Sequence, residues 1–197
     1  MSENIFLTDE EKKLLLDSAR DKIERLFDGK EEKKIDYDKF DNLKKNYGAF
    51  VTLRRNGELR GCIGFIKSQN NLFETVKLAS TYAATIDKRF EPISKEELPF
   101  LDIEISVLSA PQKIRSYDEI VLGKHGLIVR EPEGEGLLLP QVLIEHKMNK
   151  EEYLSSICRK AGLRPNLWKE KMLNLYVFTA EVFSESEFKE DAKNEND

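Results

Sequence analysis

The segment GAFVTLRR-NG-ELRGCIGF, residues 48–65, constrains this chain more than any other stretch. Two strand-like runs flank Asn56-Gly57, a pair that tolerates positive φ at both central positions of a tight turn. The expected product is a two-residue type I′ hairpin, which forces antiparallel pairing. Helical patterns are interleaved with further strand-like runs, so the expected class is α+β. With Asn56-Gly57 as the loop, Arg55 faces Glu58, Leu53 faces Arg60, Val51 faces Cys62 and Phe50 faces Ile63. Arg60 and Cys62 then project from one face, about 6.6 Å apart along the strand. Gly61 and Gly64 flank Cys62, and glycines within a strand mark a bulge or the close approach of a ligand or another backbone. An arginine beside a thiol lowers its pKa and holds an anionic group. The plainer reading is a small buried cysteine beside an ordinary ion-pairing arginine.

Capping and periodicity place the remaining elements. Thr8 and Glu11 form a capping box opening a helix to about Asp28, with Leu15, Ala19, Ile23, Leu26 and Phe27 on its apolar stripe. Lys30 to Lys45 reads as a charged surface connector. Asn71 to Asp87 is a second helix, with Leu72, Phe73, Val76, Ala79, Ala83 and Ile86 on one side, and Pro92 keeps Glu91 out of it. Leu101, Ile103, Ile105 and Val107 alternate with polar residues as a half-buried strand. A second hairpin is expected from His125–Arg130 and Gly136–Leu139. Asn149 with Glu152 caps a third helix through Ala161, and Leu175–Phe183 is the last strand. Ser184 to Asp197 reads as an acidic disordered tail.

Composition excludes several classes. Of 197 residues, 40% are hydrophobic and only 10 are Gly and 6 Pro, which rules out collagen-like and globally disordered chains. No apolar run approaches the ~18 residues of a membrane span. The opening MSENIFLTDEEK lacks a signal-peptide pattern, and Cys62 and Cys158 make no disulfide framework, so a reducing cytoplasm is the expected setting. The net charge of −5 argues against general phosphate binding, but Ser184–Asp197 carries six acids against two lysines. The body is nearly neutral, which leaves room for a local cluster of Arg60 and Arg89 to bind a small anionic ligand.

The segments GAFVTLRRNGELRGCIGF, DKRFEPIS, LDIEISVLSAP, GKHGLIV, EGLLLPQV and CRKAGL, in this order, resemble the AMMECR domain family. That family is named for the AMME chromosomal region gene product, and its prokaryotic members are called AmmeMemoRadiSam system protein A. The resemblance covers residues 8–183. It departs from the family where Lys88 and Glu91 replace prolines of a DPRFPP-like segment, and where Met148 replaces a common aromatic. It implies a two-lobed α+β protein with antiparallel sheets and helices packed on the larger lobe. Both chain ends build that lobe, and the middle builds a smaller β-rich one. It also implies that LRGCIG lines an interlobe cleft that is the functional site. The family name implies association with Memo-like and radical S-adenosylmethionine proteins.

Positions matching the family motifs are Arg60, Gly61, Cys62, Gly64, Arg89, Phe90, Pro92, His125, Gly126, Pro140 and Gln141. If they converge, Cys62 is the nucleophile, His125 the general base, Arg60 or Arg89 an anion clamp, and Gln141 a hydrogen-bonding partner for a carbonyl or amide. Each has a bland counterpart: a turn-capping His125, an Arg89 bonded to helix carbonyls, a Pro140 opening a short helix. Cys158 reads as core and His146 as surface. No Cys/His pair has zinc-finger spacing and no phosphate loop follows GEG, so neither a metal nor a cofactor is expected. Asp102 and Glu104 share a strand face, either as an acid/base pair or as the solvent side of an edge strand. Lys44, Lys45, Arg54, Arg55 and Arg60, with Tyr47 and Phe50, offer a basic-aromatic face, but Arg54 and Arg55 point to opposite sides, against RNA binding. The sequence thus supports a thiol enzyme or small-ligand binder first and a protein- or RNA-interaction module second. Under a third reading LRGCIG is purely structural.

Overall fold

A computed structural model describes residues 7–29, 36, 37 and 39–188. In chain order its elements are α1 (Asp9–Asp28), β1 (Gly48–Arg55), β2 (Glu58–Phe65), α2 (Leu72–Thr85), β3 (Leu101–Leu108), β4 (Gln112–Lys113), β5 (Gly126–Glu131), β6 (Gly134–Leu138), α3 (Pro140–Glu145), α4 (Lys150–Lys160), α5 (Leu167–Glu170), β7 (Leu175–Phe178) and β8 (Ala180–Ser184). They form an α+β fold with two antiparallel four-stranded sheets, ordered β2-β1-β3-β8 and β4-β7-β5-β6. The described residues divide into two compact units, one built from residues 7–108 with 181–188, the other from Ser109–Ala180.

In the larger unit, α2 packs on β1 and β2, and α1 packs on α2 and β3. Their apolar stripes meet Val51, Leu53, Ile103 and Ile105, all fully buried, as are Leu15, Ala19, Ile23, Val76 and Ala79. The capping box at Thr8 forms both of its bonds, at 3.2 and 2.8 Å. The stripes end sooner than expected, because Leu26 and Ile86 lie past the packed face and are 39% and 52% exposed. The connector is less superficial than its charge suggests. Tyr37 stacks on Phe73 with ring centroids 4.5 Å apart, and Leu43, in a 3₁₀ turn at Asp41–Lys44, is fully buried. Lys30–Ile35 and Asp38 lie outside the described residues.

β3 is an interior strand between β1 and β8, so Asp102 and Glu104 are not the solvent side of an edge. Asp102 accepts from the Ser186 amide and hydroxyl, and Glu104 pairs with Arg54. The expected last strand breaks at Thr179 into β7 and β8, which join different sheets. At the break, Thr179 exchanges two hydrogen bonds with Ser109, its N–H donating to Ser109 Oγ and its carbonyl accepting from the Ser109 amide, each at 2.9 Å. The expected tail is ordered over its first residues: Ser184 closes β8, a helical turn follows over 185–188, and Glu185 binds Arg20 and the Ile103 amide. Residues 189–197 lie outside the description.

In the smaller unit, β5 and β6 form the second hairpin, and Pro132-Glu133 makes its turn. α4 lies against β6, where a Cβ on Gly134 would sit 1.9 Å from the Ala161 carbonyl oxygen. The core includes Leu127, Val129, Tyr153, Leu154, Ile157 and Leu175, and the buried Cys158 belongs to it. Pro140 opens α3, where its missing N–H has no partner to lose.

Candidate functional site around strand β2

Asn56 and Gly57 adopt φ of 53° and 82°, so the turn is the one the dipeptide demands. Arg55 faces Glu58 as expected, but the ladder shifts by one residue between Leu53 and Arg54. Leu53 therefore faces Gly61, Thr52 faces Cys62, Val51 faces Ile63 and Phe50 faces Gly64. The pairings expected beyond the turn are one residue off, because Arg60 is the extra residue of a β-bulge. Simple alternation no longer puts Arg60 and Cys62 on one face. Instead Cys62 shares a face with Thr52, whose hydroxyl donates to its sulfur at 3.3 Å.

The glycines explain the geometry. A Cβ on Gly61 would sit 2.3 Å from the Ala83 carbonyl oxygen, so α2 can lie against β2 only where no side chain intervenes. A Cβ on Gly64 would meet the Phe50 ring at 2.4 Å, because that ring covers its cross-strand partner. Both close approaches are made by the unit's own backbone and side chains.

β2 is an edge strand, and side chains complete its open side at Cys62. The Cys62 N–H donates to Asp87 Oδ2 at 2.8 Å, and its carbonyl accepts from Arg89 Nη2 at 3.2 Å. Arg89 also donates to both Asp87 oxygens, at 2.9 and 2.6 Å. This guanidinium, opposed by burial and helped by the Cys62 amide, holds the Asp87 carboxyl at about 2. Arg89 thus bonds Asp87 and Cys62 rather than the last carbonyls of α2.

Arg60 is equally engaged. It grips Glu97 through Nε and Nη2 at 2.8 and 3.1 Å and donates to the carbonyls of Glu91 and Pro92 at 2.9 and 3.4 Å. Arg55 reaches the same carboxylate at 3.2 Å. The Arg60 hydrogen bonds, working against burial, hold Glu97 at about 2. Between the two ion pairs lies Phe90, with the Arg60 and Arg89 guanidiniums 5.9 and 5.5 Å from its centroid. Beside it opens a recess of about 630 Å³, bounded by Arg55, Arg60, Phe90, Glu91, Ser94, Glu96, Glu97 and Phe100.

Arg60, Gly61, Cys62, Gly64, Arg89 and Phe90 therefore gather on β2 and the segment after α2, all within the larger unit. His125 and Gln141 belong to the smaller unit. His125 Nδ1 accepts from the Val121 amide at 3.2 Å, and its carbonyl accepts from the Tyr153 hydroxyl at 3.2 Å. Burial, with Lys124, pulls its pKa down. With Nδ1 accepting, the neutral ring carries its proton on Nε2. Gln141 is half-buried in the first turn of α3. His146 is exposed as expected. The basic-aromatic face is largely self-neutralised, with Arg54 on Glu104, Arg55 on Glu97 and Lys44 on Asp41. Among the described residues no group of three or more His, Cys, Asp or Glu stands ready to hold a metal ion.

Sequence reasoning passed over Thr52, Asp87, Glu97 and Phe100. Glu97 had a legible signal, since Ser94 and Glu97 form a capping box at the 3₁₀ turn Lys95–Phe100. Asp87 stands two residues before Arg89 at a helix exit, a spacing that lets one guanidinium close on it.

The AMMECR1 family model matches residues 16–183. The chain belongs to the AMMECR1 family. A Methanothermobacter thermautotrophicus relative is 37% identical over 91% of this chain and 96% of its own length. A Methanocaldococcus jannaschii relative is 38% identical over 92% and 93%. The crystal structure of the uncharacterized protein PH0010 from Pyrococcus horikoshii is similar with a TM-score of 0.83 and 39% identity, covering 91% of this chain and 93% of that one. Within this AMMECR1 chain, LRGCIG is the bulged edge strand just described. No helix among the described residues is long and apolar enough to cross a membrane.

Proposed function

We propose that this AMMECR1 protein binds a small ligand in the recess beside the LRGCIG arginine. The observation that carries the reading is the position of Arg60. The motif residue stands in the recess wall next to Phe90, held rigid by the bidentate Glu97 carboxylate and two main-chain carbonyls. A recess wall fixed in this way loses little freedom when a ligand arrives. Concave volume of this size, mixing aromatic rings with a few fixed polar groups, suits a small molecule. The test is NMR of phenylalanine-labelled protein titrated with a carboxylate, a phosphate, a neutral aromatic and an organic cation. Saturable shifts of Phe90 or Phe100 are the expected result, and silence of both rings toward all four classes would end the reading.

A second reading, thiol chemistry at Cys62, is favoured by the Thr52 hydroxyl, which donates to the sulfur and orients it. It requires Cys62 to be alkylated by iodoacetamide faster than Cys158, and to slow down in Thr52→Val. Memo-like and radical S-adenosylmethionine proteins are the partners we propose from the family's name, in a cytoplasmic setting. Co-purification of a tagged chain from its own host, with neither class retained, would remove them.

A further inference from the structure

The charges around the recess indicate which ligand it suits. Two guanidiniums, of Arg55 and Arg60, stand against three carboxylates, of Glu91, Glu96 and Glu97. The floor pair is spent internally: Arg60 and Glu97 are bonded twice, with side chains only 17% and 12% exposed. Arg55 is half-engaged by the same Glu97 oxygen. The exposed charges at the rim are Arg55, bonded once to Glu97, and the two carboxylates of Glu91 and Glu96, so the rim carries more negative than positive charge. An incoming anion would meet these carboxylates, and the guanidiniums facing it already hold Glu97.

The aromatic walls point the same way. Phe90 carries two resident cations, Arg60 and Arg89. Phe100 lines the same recess, is 58% exposed, and has no cation or ring of the described residues on it. An exposed aromatic face beside exposed rim carboxylates, one of which, Glu96, is kept ionised by the Ser94 hydroxyl and its own amide, is the arrangement that holds organic cations, the ring attracting the charge and the carboxylate fixing it.

Building on the ligand-binding reading above, we propose that the recess takes a small organic cation, an alkylguanidinium or alkylammonium, seated on Phe100 with Glu96 as its counter-charge. The anionic ligand expected from the sequence is thereby replaced by its opposite.

The experiment titrates the full chain with agmatine, citrate, inorganic phosphate and benzamide, following Phe90 and Phe100 by NMR, and repeats agmatine on Phe100→Leu and Glu96→Gln. Both positions are exposed, and thermal melts of the variants check that they fold. The expected result is saturable agmatine binding that weakens about fivefold or more in each variant and falls with added salt. Agmatine affinity unchanged in both variants overturns the proposal. Shifts from citrate or phosphate with none from agmatine overturn the cation and leave the recess standing as a ligand site. No shift from any titrant overturns the recess itself. An arginine-flanked peptide binding more than about tenfold tighter than agmatine overturns the small-molecule class.

Discussion

The main-chain amide of Cys62 donates to the carboxylate of Asp87 at 2.8 Å, while Arg89, bonded to that carboxylate, donates to the carbonyl of the same cysteine. Two side chains three positions wide stand in for the neighbouring strand that an edge lacks. The open edge of β2 is closed where the family motif is centred, a use of charge that blunts edge-to-edge pairing.

Acid should release this clasp. Asp87 and Glu97 have folded-state values of about 2, against ordinary values of 3.8 and 4.5. A depressed carboxylate contributes stability that is complete above its ordinary value and lost as pH falls through about 2. The expected loss is about 2–3 kcal/mol through Glu97. It is about 1–2 kcal/mol through Asp87, whose partner Arg89 is more than half exposed and therefore screened. Urea unfolding between about pH 5 and pH 2 measures it, and Glu97→Gln should flatten the pH dependence while lowering the plateau.

Gly61→Ala should cost more than a strand glycine ordinarily does. The new Cβ would sit 2.3 Å from the Ala83 carbonyl oxygen, and both groups are held by backbone. A loss of about 3 kcal/mol is expected, with α2 pushed off the sheet. Gly57→Ala is the control. Its φ of 82° strains an alanine by about 1 kcal/mol, but no atom stands within 4 Å. Equal costs in chemical denaturation would contradict the close approach.

The two cysteines should separate cleanly in alkylation. Cys158 is fully buried and its thiol is pushed up by that burial, whereas Cys62 is half-buried. Native iodoacetamide labelling followed by peptide mapping should modify Cys62 at least about tenfold faster.

Protonation of His125 should loosen the loop that it caps. Its pKa lies below the ordinary 6.5, because burial and Lys124 disfavour the charged ring, and a second proton would go on the Nδ1 that accepts from Val121. The bond is present above about pH 6.5 and is lost as pH falls through the lower folded value. Exchange of the Val121 amide, corrected for intrinsic rate, should therefore accelerate below pH 6.5 in the native protein. His125→Phe should exchange fast at every pH.

Much of the fold was legible because it is local. The Asn56-Gly57 turn, the capping boxes at Thr8 and Asn149, the alternation of β3 and the burial of Cys158 each depend on residues a few positions apart. The bulge at Arg60 was half legible: Gly61 and Gly64 announced an irregularity or a close approach, but the carbonyl on α2 and the ring on β1 that approach them could not be named. Partners distant in sequence were not legible at all. Arg60 could be named as an arginine with a task, but Glu97, thirty-seven positions on, could not be named as the residue that occupies it. The split of the last strand at Thr179 was hidden for the same reason, since its hydrogen-bonding partner is Ser109.

That pairing of Ser109 with Thr179 has a topological consequence. The chain leaves the first sheet after β3 and re-enters it at β8, and these strands are neighbours. The two residues at the ends of the excursion are stitched together by a reciprocal pair of hydrogen bonds. The intervening seventy-odd residues are thus a cassette with its mouth sewn shut, complete in its own sheet and core. A short linker from Leu108 to Glu181 would span the gap left by excising it, and the cassette could be exchanged for another without re-threading the strands that hold the LRGCIG segment.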